Sequence, residues 1–333
     1  MFDPKYGFSS RIGLYPLKFD PLFMERIWGG TGLGEEFGKK IPKAKIGESW
    51  EISCRQDAMS IVSEGPLTGR TLEELIAGYG PELLGTEIPV ERGFPLLLKI
   101  LDAQDVLSVQ VHPGDEFAAQ YEHSLGKTEV WYVLKAKPGA RIIYGLKSGI
   151  TRQRFVEALS EGRLAECLNE VEVRPGDVYP VTAGVVHALG AGVIVAEFQQ
   201  NSDLTYRVYD WQRLDDRGNP RPLHIDRALQ VINFSGPPTQ GKSVVAGIDQ
   251  ERQLLYRGQH FSLEAFKVSG EESMLSTGKH FVLGLVSQGK GGISYQGERY
   301  KVNYGDSFMI PAGIGEYSFY GDCTLLLCTP KVV

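Results

Sequence analysis

Gln110, His112, Glu129 and His187 are the residues of this chain best suited to hold a metal ion. Gln110 and His112 stand two apart in LSVQVHP, Glu129 follows His112 by 17 residues in GKTE, and His187 closes PVTAGVVH. Two imidazoles, a carboxylate and an amide oxygen form a mixed nitrogen and oxygen donor set. Zn²⁺, Mn²⁺, Fe²⁺, Co²⁺ or Ni²⁺ all suit such a set. It contains no cysteine, which argues against a closed structural zinc site and for an ion with an open position, acting as a Lewis acid. Either histidine read singly is an ordinary, partly buried side chain. The combination is what points to a metal.

Periodicity indicates the elements that must position these groups. Leu107, Val109 and Val111 alternate with Ser108, Gln110 and His112, so one strand sends an apolar row one way and a polar row the other. Water normally takes the polar row of a half-buried sheet. An amide and an imidazole in that row suggest instead an interior that holds something. EVWYVLKA, ARIIYGL, VIVAEFQQ and TYRVYDW read as further strands, and FPLLLKILDA as a buried strand carrying the lone Lys99. In GESWEIS, Glu48, Trp50 and Ile52 share a face. Thr71 followed by Glu73 and Glu74 is a helix-capping signal. Residues 151–169 read as an amphipathic helical pair burying Phe155, Ala158, Leu159 and Leu164. Gly29, Gly30, Gly32 and Gly34 lack the spacing and closing Lys-Ser/Thr of a phosphate loop and read as a loop against a cavity.

Residues 212–243, rich in Pro, Gly and charge, read as a crossing between domains, and from about Gln250 short strands with Gly turns read as an all-β module. An internal repeat links the two parts. GDVYPVTAGVVH from Gly176 and GDSFMIPAGIGE from Gly305 share Gly, Asp, Ala and Gly at an offset of 129, which sets His187 opposite Glu316. The second copy has no counterpart of Gln110 and His112.

At 333 residues the chain suits two domains, and 42% hydrophobic residues allow a sizeable core. A net charge of −6 with no basic stripe argues against nucleic acid or an anionic membrane as partner. No window approaches the roughly 18 apolar residues of a membrane span. Four scattered cysteines without a CxxC pair, and an N-terminus without a basic-then-apolar leader, point to a reduced, cytoplasmic protein.

Five motifs in order then carry a family resemblance. PLKFDP with WGG, IGESWEIS, LLLKILDAQDVLSVQVHP, GKTEVWYVL and HALGAGVIVAEFQQNSDLTYRVYDW look like the short bacterial form of type I mannose-6-phosphate isomerase, in the cupin superfamily. The resemblance runs from about residue 14 to 230 and continues loosely beyond. It implies a mainly β fold, a cupin (jelly-roll) barrel with a small helical insertion plus a second, degenerate C-terminal half-cupin module. The expected catalytic domain is 1–235, with helical segments near 71–85 and 151–170, and the expected C-terminal domain is 245–333. The resemblance also implies one Zn²⁺ per chain on Gln110, His112, Glu129 and His187, and an essential arginine falling on Arg207.

The reaction so implied interconverts mannose 6-phosphate and fructose 6-phosphate through an enediol. It needs a base for a weakly acidic C–H and fixed positive charge for the oxyanion that develops. Arg207, Lys127 and Glu197 are the catalytic candidates, with the Lys127 pKa expected to be lowered by the neighbouring ion. Ser108, Lys99, Asp203 and Arg213 are the candidates for holding substrate, arginine being the better phosphate fork. The expected partner is a small sugar phosphate, and the expected state a monomer or weak homodimer. The alternatives are a cupin iron or manganese oxygenase, which usually presents three histidines and one glutamate, and a non-catalytic sugar-binding cupin.

Overall fold

A computed structural model describes residues 12–42, 45–214, 218–238 and 251–331, and it is mainly β. Residues 1–11, read above as lacking a leader, lie outside the described residues. Among the described residues no helix is long and apolar enough to cross a membrane.

Two compact units interleave along the chain. One comprises Phe23–Ser49 and Ile100–Val245; the other comprises Met1–Leu22, Trp50–Lys99 and Ala246–Val333.

The first unit carries the candidate ligands. EVWYVLKA and VIVAEFQQ, rich in β-branched and aromatic side chains, form the antiparallel strands Glu129–Ala136 and Val193–Gln200. Val178–Val181 pairs on the other edge of Glu129–Ala136. A second sheet runs in the order Tyr206–Tyr209, Val109–Val111, His187–Leu189, Arg141–Leu146, Leu168–Glu172. Val109 and Val111 are wholly buried, and the helix Ile225–Val231 packs on their strand. That helix lies inside the stretch read as a crossing. With its apolar row covered, the Val109–Val111 strand leaves Gln110 to the opposite face. Residues 151–169 form a helix, Arg152–Ser160, and a 3₁₀ turn, Leu164–Cys167, burying Phe155, Ala158 and Leu164.

The glycines after Trp28 do not form a loop against a cavity. Gly29 and Gly30 end the strand Leu22–Gly30, and Gly32 opens a short helix with its N–H donated to Asp102 Oδ2 at 2.8 Å. A Cβ on Gly29 would lie 2.3 Å from Gly47 N, so these glycines permit close backbone approach.

In the second unit the sheet order is Arg252–Arg257, Phe261–Leu275, Glu316–Pro330, Val282–Tyr295, Glu298–Asn303, with Ser307–Ile310 pairing on Val282–Tyr295. The Leu72–Tyr79 helix starts with the capping box expected from its sequence. Thr71 Oγ1 accepts the Glu74 N–H at 3.1 Å, and the Glu74 carboxylate accepts the Thr71 N–H at 3.0 Å. Thr71→Ala is expected to cost about 1 kcal/mol of stability, read by chemical denaturation, and to leave activity unchanged.

The repeat is structural as well as sequential. Gly176 and Gly305 both take positive φ, 92° and 83°, a region that favours glycine. Their N–H groups donate to Val133 O at 2.8 Å and to Val286 O at 2.9 Å. The next residue in each turn, Asp177 or Asp306, accepts a backbone N–H, from Arg174 and Asn303 respectively, both at 2.9 Å. The strands that follow pair alike, Val181 opposite Glu129 and Ile310 opposite Val282. Val282 thus holds the place of Glu129, as Glu316 holds that of His187.

Candidate metal centre

Register brings the candidates into a line. Across the second sheet Tyr144 faces His187, His187 faces Gln110, and Gln110 faces Arg207. Directly opposed residues share a face, so the amide, one imidazole and the guanidinium stand side by side. From the other sheet Glu129 stands opposite Gln199, and Trp131 opposite Glu197. Glu129 Oε1 lies 3.5 Å from His187 Nε2, and its Oε2 lies 3.4 Å from His112 Nε2. One donor atom from each of the three lies within 4.8 Å of the others. His112, Glu129 and His187 are fully buried.

The hydrogen bonds fix which ring nitrogen is available. His112 Nδ1 lies 2.9 Å from Leu204 O, and His187 Nδ1 lies 2.8 Å from Val185 O. A carbonyl accepts only, so each Nδ1 carries the proton and each Nε2 presents a lone pair towards Glu129. Burial lowers both histidine pKa values, His187 to about 3, and for His112 the Lys127 charge adds to it. Both rings are therefore neutral ligands at neutral pH.

The buried Glu129 carboxylate pairs through Oε2 with the Lys127 ammonium at 2.7 Å, while Oε1 accepts no hydrogen bond from the described residues. A buried carboxylate oxygen without a donor is costly. Two imidazole lone pairs aimed at such a carboxylate are a donor set that a divalent cation satisfies. The Gln110 amide lies alongside, its nitrogen 3.3 Å from His187 Nε2. A half-turn of the amide presents Oε1 there instead.

The cations around the centre differ in their ties. Burial opposes the Lys127 charge, but Glu129, then Glu197 and Asp203, outweigh it, so its pKa is raised. Arg207 donates from Nε to Ser108 Oγ at 3.3 Å and from Nη1 to Pro222 O at 2.9 Å. Burial, then Arg221, lowers its pKa. Among the described residues it pairs with no carboxylate, which leaves its charge available to an anion. Arg213 is committed to Asp210 at 2.6 Å, Asp105 at 3.3 Å and Val106 O. Asp210 is shared with Arg221.

Glu197 accepts Trp131 Nε1–H at 2.8 Å and is buried, whereas Asp203 is exposed. In the other unit Lys99 Nζ lies 4.4 Å over the Trp50 ring, a cation–π contact. The structure therefore gathers Ser108, Gln110, His112, Lys127, Glu129, His187, Glu197 and Arg207 around one interior, while Arg213 is tied to its own carboxylates. Sequence reading missed Asp115 and Gln200, which hold the loop bearing Lys127 and whose only sequence signal is polarity beside a ligand motif.

Comparison with known proteins agrees with this geometry. Residues 17–137 match phosphomannose isomerase type I, catalytic domain, and residues 251–330 match mannose-6-phosphate isomerase, cupin domain. The chain is 39% identical over 318 residues to the probable mannose-6-phosphate isomerase GmuF of Bacillus subtilis, covering 95% of this chain and 99% of that one. It is similar to the crystal structure of mannose 6-phosphate isomerase from Bacillus subtilis, with TM-score 0.81, 35% identity, and coverage of 94% of this chain and 99% of that chain. It shares its fold with a mannose 6-phosphate isomerase crystallised with zinc and yttrium, at TM-score 0.73 and 17% identity over 95% of this chain and 100% of that chain. With its cupin fold, its buried His/Glu/His centre and these relatives along nearly its whole length, the chain belongs to the type I phosphomannose isomerase family.

Proposed function

We propose that the chain interconverts mannose 6-phosphate and fructose 6-phosphate through an enediol, using one Zn²⁺ held by Gln110, His112, Glu129 and His187. The observation that carries this reading is the fully buried Glu129 carboxylate, paired with Lys127 and faced by the Nε2 atoms of two neutral imidazoles. When bound, the ion supplies Lewis-acid polarisation of a substrate oxygen.

The chain's own residues do the rest. Arg207, next to Gln110 in register and unpaired with any described carboxylate, holds fixed positive charge where the oxyanion develops. Lys127 and Glu197 move the proton between C2 and C1. Their burial excludes water that would otherwise exchange with it. Ser108, already hydrogen-bonded to Arg207, and the exposed Asp203 meet substrate oxygens. Lys99 and Arg213 remain candidates for the phosphate, but Arg213 must first loosen its hold on Asp210. The C-terminal module, with Val282 and Glu316 in the ligand places, acts as scaffold.

A coupled assay of mannose 6-phosphate conversion tests the reading. Turnover is expected in the metal-loaded protein, lost after chelation, and restored by Zn²⁺. Turnover that persists in fully metal-stripped protein would overturn it.

A further inference from the structure

We infer that Gln200 and Asp115 are positioning residues that clamp the backbone at 126–128 and thereby fix the Lys127 side chain against Glu129. The inference rests on the role proposed for Lys127 and deepens it.

The clamp is built from three segments distant in sequence. Asp115, the first residue of the helix Asp115–Glu122, accepts with one oxygen, Oδ1, from Gly126 N–H at 2.9 Å and from Gln200 Nε2 at 3.0 Å. Gln200 Oε1 in turn accepts Thr128 N–H at 2.9 Å. Gln200 therefore uses both ends of its amide, and its orientation is unambiguous, since Asp115 can only accept and the peptide N–H can only donate. The main chain adds to this. Gln200 N–H donates to Thr128 O at 3.1 Å, and Lys127 N–H donates to Pro113 O at 3.0 Å. Ser202 Oγ donates to Leu125 O at 2.9 Å.

The loop has no slack. A Cβ on Gly126 would lie 2.5 Å from Asp115 N and 2.6 Å from Gly114 C. Thr128 and Gln200 are buried, so water cannot readily replace a lost partner. Lys127 lies between these fixed peptide groups, with Nζ 2.7 Å from Glu129 Oε2 and 3.3 Å from His112 Nε2. A lysine has four rotatable side-chain bonds and holds a position poorly by itself. A base or acid displaced by an ångström loses much of its effect. Loops that are merely structural tolerate looser attachment. Here the ties hold the backbone on both sides of the one residue whose ammonium enters the centre.

The chemistry separates the possible substitutions. Gln200→Ala removes both links. Gln200→Glu keeps an acceptor for Thr128 N–H but brings a second carboxylate against Asp115, so the link between them becomes repulsive. Asp115→Asn keeps Oδ1 as an acceptor for both N–H groups, so the clamp survives without the charge.

Kinetics and metal content on the Zn²⁺-loaded enzyme test the inference. Gln200→Ala and Gln200→Glu are expected to lower kcat by about 10- to 100-fold. Each should keep one equivalent of metal, and KM should change by less than about threefold. Asp115→Asn is expected to stay within about threefold of the parent in kcat, because its hydrogen bonds are conserved. The decisive measurement is the cycle with Lys127→Ala. If Gln200 acts through Lys127, Gln200→Ala costs less than about twofold once Lys127 is gone.

Fully additive losses in that cycle, or loss of metal in both Gln200 variants, would overturn the clamp and leave the proposed role of Lys127 standing. A Lys127→Ala enzyme that turns over at the parent rate would sink the Lys127 role and the clamp together, leaving the metal centre intact.

Discussion

Glu129→Gln is expected to remove metal binding and turnover together and to destabilise the protein as well. Glu129 is fully buried and meets three groups at once: Lys127 at 2.7 Å, His112 at 3.4 Å and His187 at 3.5 Å. The amide keeps the shape but loses the charge. A Lys127 ammonium is then left in a dry interior without its nearest counter-ion. Breaking a buried ion pair from one side costs about 3–5 kcal/mol, far more than deleting an exposed pair. The same change removes the anionic ligand from a set whose remaining members are neutral. Metal analysis after dialysis should find the variant empty, and its melting temperature should lie well below that of the metal-free parent. Lys127→Met in the Glu129→Gln background should recover much of the stability without recovering turnover, since it removes the unpaired charge. A Glu129→Gln protein that keeps metal and turns over normally would overturn the ligand assignment.

Arg207→Ala should give the opposite separation, with turnover lost and metal retained. The guanidinium donates to Ser108 and Pro222 O and pairs with no described carboxylate. Removing it therefore leaves no carboxylate unpaired and should cost little stability. What disappears is a fixed positive charge next to Gln110, and loss of one preorganised group at a developing oxyanion typically costs about 10²–10³-fold in kcat. Arg207→Lys should recover only part of this, because an ammonium cannot hold the planar fork that Ser108 and Pro222 orient. An Arg207→Ala enzyme that isomerises mannose 6-phosphate at the parent rate would remove the residue from the mechanism.

The clustering of His112, Glu129 and His187 was foreshadowed in the sequence because strand geometry is periodic. Alternation put Gln110 and His112 on one side of LSVQVHP, and the Gly-Asp turn that precedes His187 has a recognisable local pattern. Helix starts were legible through a local hydrogen-bonding motif, as the Thr71 capping box illustrates. What escaped depended on contacts that no single stretch displays. The ties of Arg213 to Asp210, three residues away, and to Asp105, over a hundred residues away, were not read from the sequence. The glycines after Trp28 looked like a loop because the sequence does not reveal that Gly47 presses against Gly29. The carboxylates that raise the Lys127 pKa, Glu129, Glu197 and Asp203, come together only in the fold. Gln200 was invisible because its role consists of hydrogen bonds to backbone at 128 and to a side chain at 115.

The two imidazoles have one further consequence. Leu204 O and Val185 O set their tautomers, and burial keeps them unprotonated before any ion arrives. Both Nε2 atoms thus face Glu129 with their ring protons already turned away from it. A cation that settles on these nitrogens would displace no histidine proton, so its uptake near neutral pH would depend little on the histidines' own titration.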